Sequence, residues 1–325
     1  MEIAFEAAGY DVENARSRGD LRTEKQTKSG KGMVMGEKGL ELKWRWHSVH
    51  DGTVGFESKT ALMDIYALLE TTQRQRVSDG EIAPILSHTY GAQQLLVMVW
   101  PQLGDFDSLE YAWWLQRAAE QLQDQAIAVR AVGIGNSTSG QQFCDYTGFP
   151  AEHLYVDPEA ALHQELGLYA GLSISVPGLT PGQKAWLNLM LMCAGIGSPG
   201  TLAEVLRGYT GDRHAPQLIA ADESVKAGPL PPLQGKAFNT AGGEGFQRPF
   251  ELATLRLRNM AEALGNWSTY VPDASHLTQR GGTFLFDSQD KLVYEHRDRG
   301  ILGFSKTMAN PLAFLEDQAG VVAVT

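Results

Sequence analysis

Cysteine is scarce in this chain of 325 residues, which contains two, Cys144 and Cys193. Two cysteines are too few for the disulfide framework of a small secreted protein or for a cysteine-rich zinc site, and such sparse use is typical of a reducing compartment. Histidine suggests no metal site either, because His47 and His50 form a pair without a third ligand nearby. We therefore expect a cytoplasmic protein with no metal and no cofactor.

Long apolar runs and an excess of positive charge are also missing. The longest mostly apolar run, residues 185–197, is shorter than the ~20 residues that span a bilayer, and residues 1–20 show no secretory signal. The net charge of −11 would repel nucleic-acid phosphates. We expect no transmembrane segment and no nucleic-acid partner. The apolar run is interpreted as a buried helix, with a helix in the membrane interface as the alternative.

Positive charge is concentrated near the N-terminus. Residues 15–45 carry nine Lys/Arg and four Asp/Glu, although the chain as a whole is acidic. We interpret residues 1–40 as a flexible basic leader, with contact to an acidic protein or membrane surface as the alternative. Residues 41–77 are predicted to form an N-terminal extension, made of a hairpin and a helix over residues 60–75.

The main part of the chain, residues 78–318, alternates strands with helices. The predicted strands cover residues 95–100, 126–135 and 153–157. The predicted helices follow them. The first runs from Asp107 or Ser108 to about residue 125, the second from a cap at Ser137, Thr138 or Ser139 through Tyr146 until Gly148, and the third over residues 158–168. This alternation indicates parallel strands joined by right-handed crossovers.

Residues 170–248 interrupt that alternation and are too long for a simple connection. We interpret them as a helical insertion, with helices near residues 184–194 and 200–208. A helix over residues 251–267, two strands within residues 281–298, a last helix near 310–317 and a tail at 319–325 complete the chain. The order predicts an α/β fold of thioredoxin-like type, in which helices flank a central mixed sheet.

Four segments of this chain resemble the peroxiredoxin-like branch of the AhpC/TSA family. They are LLVMVWPQLGDFDSLE, AVGIGNSTSGQQFCDYTGFP with HLYVDP, LHQELGL, and LTQRGGTFLFDSQDKLVYEHRDRG. Their order implies the thioredoxin fold and a thiol-dependent antioxidant ancestry. The long insertion and the last segment look most similar to members from cyanobacteria and plastids, which implies the plastid stroma or the thylakoid as alternative locations.

The sequence departs from that family at the residue that matters most. The resemblance places a peroxidatic cysteine on the loop or first helical turn after the first active-site strand, but no cysteine occurs from residue 98 to 143. The loop instead offers Pro101, Asp105, Asp107 and Ser108, and we interpret it as a vestigial site. A serine hydroxyl needs a base to act as a nucleophile, and the two aspartates are explained as charges at a helix N-terminus.

Four other residues are considered for chemistry or contact. Cys144 occupies the family's Phe-Cys position and is a weak catalytic candidate, although a buried structural thiol is favoured; Cys193 is expected in the core. Trp113 is predicted to face the sheet. Trp114 then points about 100° away, either toward a partner or beneath the insertion.

Three hypotheses follow, and the oligomeric state stays open in all of them. The first is a non-catalytic binding or accessory protein in a redox or photosynthetic setting, which contacts a protein partner through the vestigial loop, Trp114 or the insertion helix. The second is a weak thiol-dependent antioxidant that uses Cys144. The third is a membrane-associated or complex-associated assembly factor that uses the basic leader and the 185–197 helix.

Overall fold

A seven-stranded mixed sheet organises the part of the chain that the computed structural model describes, which is residues 64–210, 217–228, 230–238 and 249–316. The basic leader, the hairpin predicted before residue 60, the pair His47 and His50, and the tail at 319–325 lie outside these residues. The strands in the described ranges are β1 (Gln73–Arg76), β2 (Ile82–Pro84), β3 (Gln94–Gln102), β4 (Ile127–Ile134), β5 (Leu154–Val156), β6 (Ser224–Val225), β7 (Leu233–Gln234), β8 (Gly282–Asp287) and β9 (Leu292–Arg297).

The strand order in the main sheet is β2-β1-β5-β4-β3-β8-β9, while β6 and β7 form a separate small hairpin. Strands β3, β4 and β5 are parallel, and β1, β2, β8 and β9 pair in antiparallel fashion. This arrangement confirms the predicted α/β fold of thioredoxin-like type.

The helices follow the predicted alternation with a few shifts. They are α1 (Ile65–Thr71), α2 (Phe106–Arg117), α3 (Ala119–Asp124), α4 (Ser137–Thr147), α5 (Ala161–Glu165), α6 (Pro181–Cys193), α7 (Thr201–Thr210), α8 (Pro249–Gly265) and α9 (Trp267–Tyr270). Residues 313–316 are helical as well. The helix expected from 107 or 108 to 125 is two helices, because the chain turns out of the helix at Ala118.

The helix predicted over residues 60–75 is wrong at its C-terminal end. The helix α1 ends at Thr71, and the next residues form β1, which pairs with β2 on one side and with β5 on the other. Two strand partners stabilise the extended backbone more than the local helical pattern stabilises a helix. The sheet therefore includes four residues that we assigned to the extension.

Strand β3 lies at the centre of the sheet, and its side chains enter two cores. Leu96, Met98 and Trp100 face the larger core, which α2, α4 and the segment after α8 also line. Val97 and Val99 face the second core, beneath α1 and α5. Both faces of β3 are covered, which explains why its sequence is an unbroken apolar run rather than an alternating one.

Residues 170–248, which we interpret as an insertion, add a third cluster, in which Leu218, Ile219 and Phe238 pack against α8. The prediction that Trp113 faces the sheet is wrong, because its indole packs against this cluster. Trp114 contacts both this cluster and the larger core and is half-buried. The insertion covers the outer face of α2, and this cover determines where both indoles lie.

Gly281, immediately before β8, permits a close approach to β3. A β-carbon at this position would lie 2.3 Å from the Val99 carbonyl oxygen and 3.0 Å from Pro101 Cδ. We expect Gly281→Ala to lower the free energy of unfolding by about 1–3 kcal/mol, because backbone atoms must move apart. Urea unfolding measures the change. Gly182→Ala is the matched control, since a β-carbon at Gly182 meets no atom within 4 Å; an equal loss in both variants would contradict this reading.

Candidate functional site

The loop between β3 and α2 is closed rather than open to solvent. Strand β3 continues to Gln102, two residues beyond the predicted end, and its pairing with β4 shifts register between Trp100 and Gln102. Pro101 lies at that irregularity, where a residue without an N–H group costs no ladder hydrogen bond. Residues 101–104 are all buried.

Asp105, rather than Asp107 or Ser108, is the N-cap of α2. Its Oδ1 accepts a hydrogen bond of 2.9 Å from the Asp107 backbone N–H. The Ser108 hydroxyl donates to the Gln102 carbonyl oxygen at 2.9 Å and is fully buried. Ser108 therefore secures the loop, and its hydrogen bond leads to a carbonyl group rather than to a base that could activate it.

Arg280 lies at the centre of the site, and its side chain is fully buried. Its Nη2 is 2.5 Å from Asp105 Oδ2 and its Nη1 is 3.2 Å from Asp107 Oδ2. Asp107 also accepts a hydrogen bond of 2.8 Å from the Leu302 backbone N–H. The two aspartates are thus more than exposed charges at a helix N-terminus, since they bind a buried guanidinium from a distant part of the sequence, just before β8.

Burial dominates the electrostatics of this cluster. Burial raises the pKa of the Asp107 carboxyl well above its usual value, and Asp105 adds to this while Arg280 opposes it. A third carboxyl, that of Asp298, accepts from the Gly281 backbone N–H at 3.2 Å. Burial raises the pKa of Asp298 to about 7, and again Arg280 opposes the shift. The single guanidinium therefore offsets only part of the cost of burying these carboxyls, and their raised pKa values reflect the remainder.

The insertion helix α6 lies over this loop and carries Cys193 to it. A residual cavity of about 40 Å³ separates the two, lined by Gln102, Gly104, Asp105, Phe106, Leu189, Cys193, Trp267, Val271, Leu277 and Ile301. Sequence reasoning placed Cys193 in the core and missed this proximity. Burial raises the pKa of Cys193 to about 11, and Asp105 contributes to the rise.

The second thiol, Cys144, lies on α4 with its side chain in the larger core beside Phe143. Burial raises the pKa of Cys144 to about 12, and the nearby carboxylates Asp145 and Glu152 raise it further. A reactive cysteine needs a lowered pKa and access to solvent. Neither Cys144 nor Cys193 has the first of these properties.

Sequence reasoning also missed Arg280, although the residue stands in the QRGGTF stretch that carries part of the family resemblance. A lone arginine before two glycines gives no local signal of burial. Among the described residues, no group of three or more His, Cys, Asp or Glu side chains is arranged to hold a metal ion. The chemistry of the site is that of an internal ion-pair cluster.

Arg280 and Asp107 allow a direct test of this cluster. We expect Arg280→Met to lower the free energy of unfolding by about 3–5 kcal/mol, because buried carboxylates lose their counter-charge. Burial raises the pKa of Asp107 in the folded state, so its neutral form is favoured there, and the stability of the variant should fall as pH rises from 5 to 8. Urea unfolding at both pH values measures the effect.

Two further variants separate electrostatics from packing. Adding Asp107→Asn to Arg280→Met should recover part of the lost stability and weaken its dependence on pH. Arg299→Met removes an exposed arginine and serves as the matched control. If the double variant is as unstable as Arg280→Met at every pH, the cost comes from lost packing rather than from the unpaired carboxylate.

Comparison with known protein families places this geometry in context. The profile of the AhpC/TSA antioxidant enzyme family matches residues 114–300, which is more than half of the chain. The match begins within α2, after the loop of Asp105 and Asp107, and extends through β9. Comparison with curated proteins gives no match. By this match and by its mixed sheet, the chain belongs to the AhpC/TSA antioxidant enzyme family.

Proposed function

We propose that this chain is a non-catalytic member of its family and acts by binding a protein partner. The observation that carries the proposal is the closed loop between β3 and α2, in which Asp105 and Asp107 are ion-paired to the buried Arg280. An active site of the family's kind would need a thiol here that solvent and peroxide can reach.

The two thiols support the same proposal. Reduction of a peroxide requires a thiolate, which attacks one oxygen, breaks the O–O bond and becomes a sulfenic acid. A thiol with a pKa of about 11, such as Cys193, is ionised in roughly one molecule in ten thousand at pH 7. Cys144 is buried, and its pKa is raised still further, to about 12. The alternative of an antioxidant that uses Cys144 therefore lacks support from the geometry.

The insertion offers the best contact surface of the three that we considered. The vestigial loop is buried, and Trp114 is half-covered by the insertion. Helices α6 and α7, which contact each other, present exposed apolar side chains. This insertion surface comprises Trp186, Met190, Ile196, Leu202, Val205 and Tyr209. Clustered apolar exposure of this kind is typical of protein interfaces.

The setting of this binding is part of the proposal. The likeness to cyanobacterial and plastid members supports a redox or photosynthetic context, in the cytoplasm of a bacterium or the stroma of a plastid. An assembly factor on a membrane surface is the alternative use of the same apolar side chains. Within the described ranges, no helix combines the length and the apolar character needed to cross a bilayer.

Peroxide turnover tests the non-catalytic part of the proposal. The purified full chain with a thiol reductant should consume hydrogen peroxide no faster than the Cys144→Ser/Cys193→Ser double variant, because neither thiol is ionised enough to react. A peroxide electrode follows the rate, with an active peroxiredoxin as positive control. Catalytic turnover that disappears in Cys193→Ser would overturn the proposal and move the chemistry to α6.

Site-specific cross-linking tests the binding part. A photoreactive residue in place of Leu202 should capture a defined protein in cells, and Leu202→Glu should abolish binding of that purified protein. The same label in place of Ile82, which is 74% exposed on β2, is the matched control. Equal capture at both positions would contradict the insertion surface, and sedimentation with anionic lipid vesicles that Leu202→Glu prevents would favour the membrane alternative.

A further inference from the structure

A large cavity lies at the start of β4, remote from the loop of Asp105 and Asp107. Strand β5 pairs with β4 only from Ala131 to Gly133. Residues 127–130 of β4 therefore pair with β3 on one side and with no strand of the described residues on the other. The cavity occupies this place and measures about 660 Å³. The vestigial loop is at the opposite end of β4, where Gln102 pairs with Ile134, about 20 Å along the strand.

The walls of the cavity are largely apolar. They include Leu115 and Leu122 from the helical side, Ile127 and Val129 from β4, and Phe149 from the turn after α4. All except Val129 are buried residues of the larger core that also line the cavity. A volume of several hundred cubic ångströms with such walls is typical of a site for a small organic molecule.

Arg130 supplies a fixed positive charge at this cavity, where Tyr155, Arg76 and Glu152 are its polar neighbours. The residue is 4% exposed, and its guanidinium donates to the Ser87 and Val129 carbonyl oxygens at 2.5 and 2.7 Å. Its Nε has no hydrogen-bond partner, and no carboxylate of the described residues forms an ion pair with it. A buried cation without a counter-charge is costly, and an anionic ligand would remove part of that cost.

The other polar groups around the cavity leave its charge positive. Arg76 is ion-paired with Asp79 and Glu81, whereas His88 and His153 add further donors. Burial lowers the pKa of His153, and the positive charge of Arg130 lowers it further. The carboxylate among the lining residues, that of Glu152, is exposed at the rim. An anion would thus meet the Arg130 guanidinium inside and the Glu152 carboxylate outside.

We propose that this cavity binds a small organic acid, whose carboxylate faces Arg130 and whose hydrocarbon chain lies against the apolar wall. Two properties of the site specify this class of ligand. The single buried guanidinium suits one carboxylate, because it offers a planar set of donors that no carboxylate of the described residues pairs with, and its acidic hydrogen-bond partner is the neutral Tyr155 hydroxyl. The apolar wall requires a hydrocarbon body, since a fully hydrated anion would gain nothing from it.

Decanoate is the probe, and decanol is the matched uncharged ligand. Titration calorimetry with the full chain at pH 7.5 should show decanoate binding at least about tenfold more tightly than decanol, because only the carboxylate can pair with the guanidinium. In Arg130→Met this preference should disappear while decanol still binds. The control Arg299→Met should keep the preference.

A second variant keeps the test decisive if Arg130→Met fails to fold. Ala119 is exposed at the start of α3 and lines the cavity, so Ala119→Phe should fill the space and weaken both ligands by about tenfold or more. The control Arg299→Met should bind both ligands as wild type does. The proposal is overturned if wild-type protein prefers decanol or binds neither ligand, if Arg130→Met keeps the preference for decanoate, or if Ala119→Phe binds both ligands as wild type does.

Discussion

The ion pairs of Arg280 with Asp105 and Asp107 hold together three segments that are distant in the sequence. Asp105 and Asp107 begin α2, Arg280 precedes β8, and the Leu302 backbone N–H that donates to Asp107 follows β9. Burying the Arg280 guanidinium costs less because two carboxyl groups contact it, and burying those carboxyl groups costs less because of the guanidinium. The ion pairs, and not the apolar core alone, therefore keep the loop closed.

These ion pairs affect whether the N-terminus of α2 could stabilise a thiolate. In a thiol peroxidase, the start of the helix after the strand must stabilise a thiolate, with its N–H groups directed at the sulfur. Here the Asp107 N–H already binds the Asp105 carboxylate. The N-terminus of α2, which could lower the pKa of a cysteine, instead binds the capping carboxylate. The Cys193 thiol, which α6 brings nearby, faces the negative charge of Asp105 and an apolar cavity.

Two proposed binding surfaces lie away from that end of the sheet, and their chemistry differs. The insertion surface on α6 and α7 is apolar and exposed, which suits a macromolecule. The cavity at the start of β4 is apolar with one buried cation, which suits a small anion. Each arises where the fold departs from a regular thioredoxin-like sheet. The insertion adds helices outside it, and the short β5 leaves an edge of β4 without a partner.

Much of the fold could be predicted from the sequence because the information is local. The apolar run of β3, the helices on either side of it and the insertion are all visible as patterns of period and composition. The absence of cysteine from residue 98 to 143 is equally plain. The family resemblance implied how these strands and helices are arranged, namely as a thioredoxin-like fold. The extent of the N-terminal extension stays a prediction, apart from β1, which belongs to the main sheet.

The candidate site could not be predicted in the same way, because its interactions join distant parts of the chain. Arg280 and Asp107 are 173 residues apart, and nothing near either residue in the sequence identifies its partner. Residues 73–75 form a strand because β2 and β5 lie beside them, and Trp113 faces outward because the insertion covers it. The sequence by itself determined most of the strands and helices and the absence of cysteine from residue 98 to 143. The tertiary structure alone decided which charges are buried together, since burial and ion pairing depend on neighbours that only the folded chain supplies.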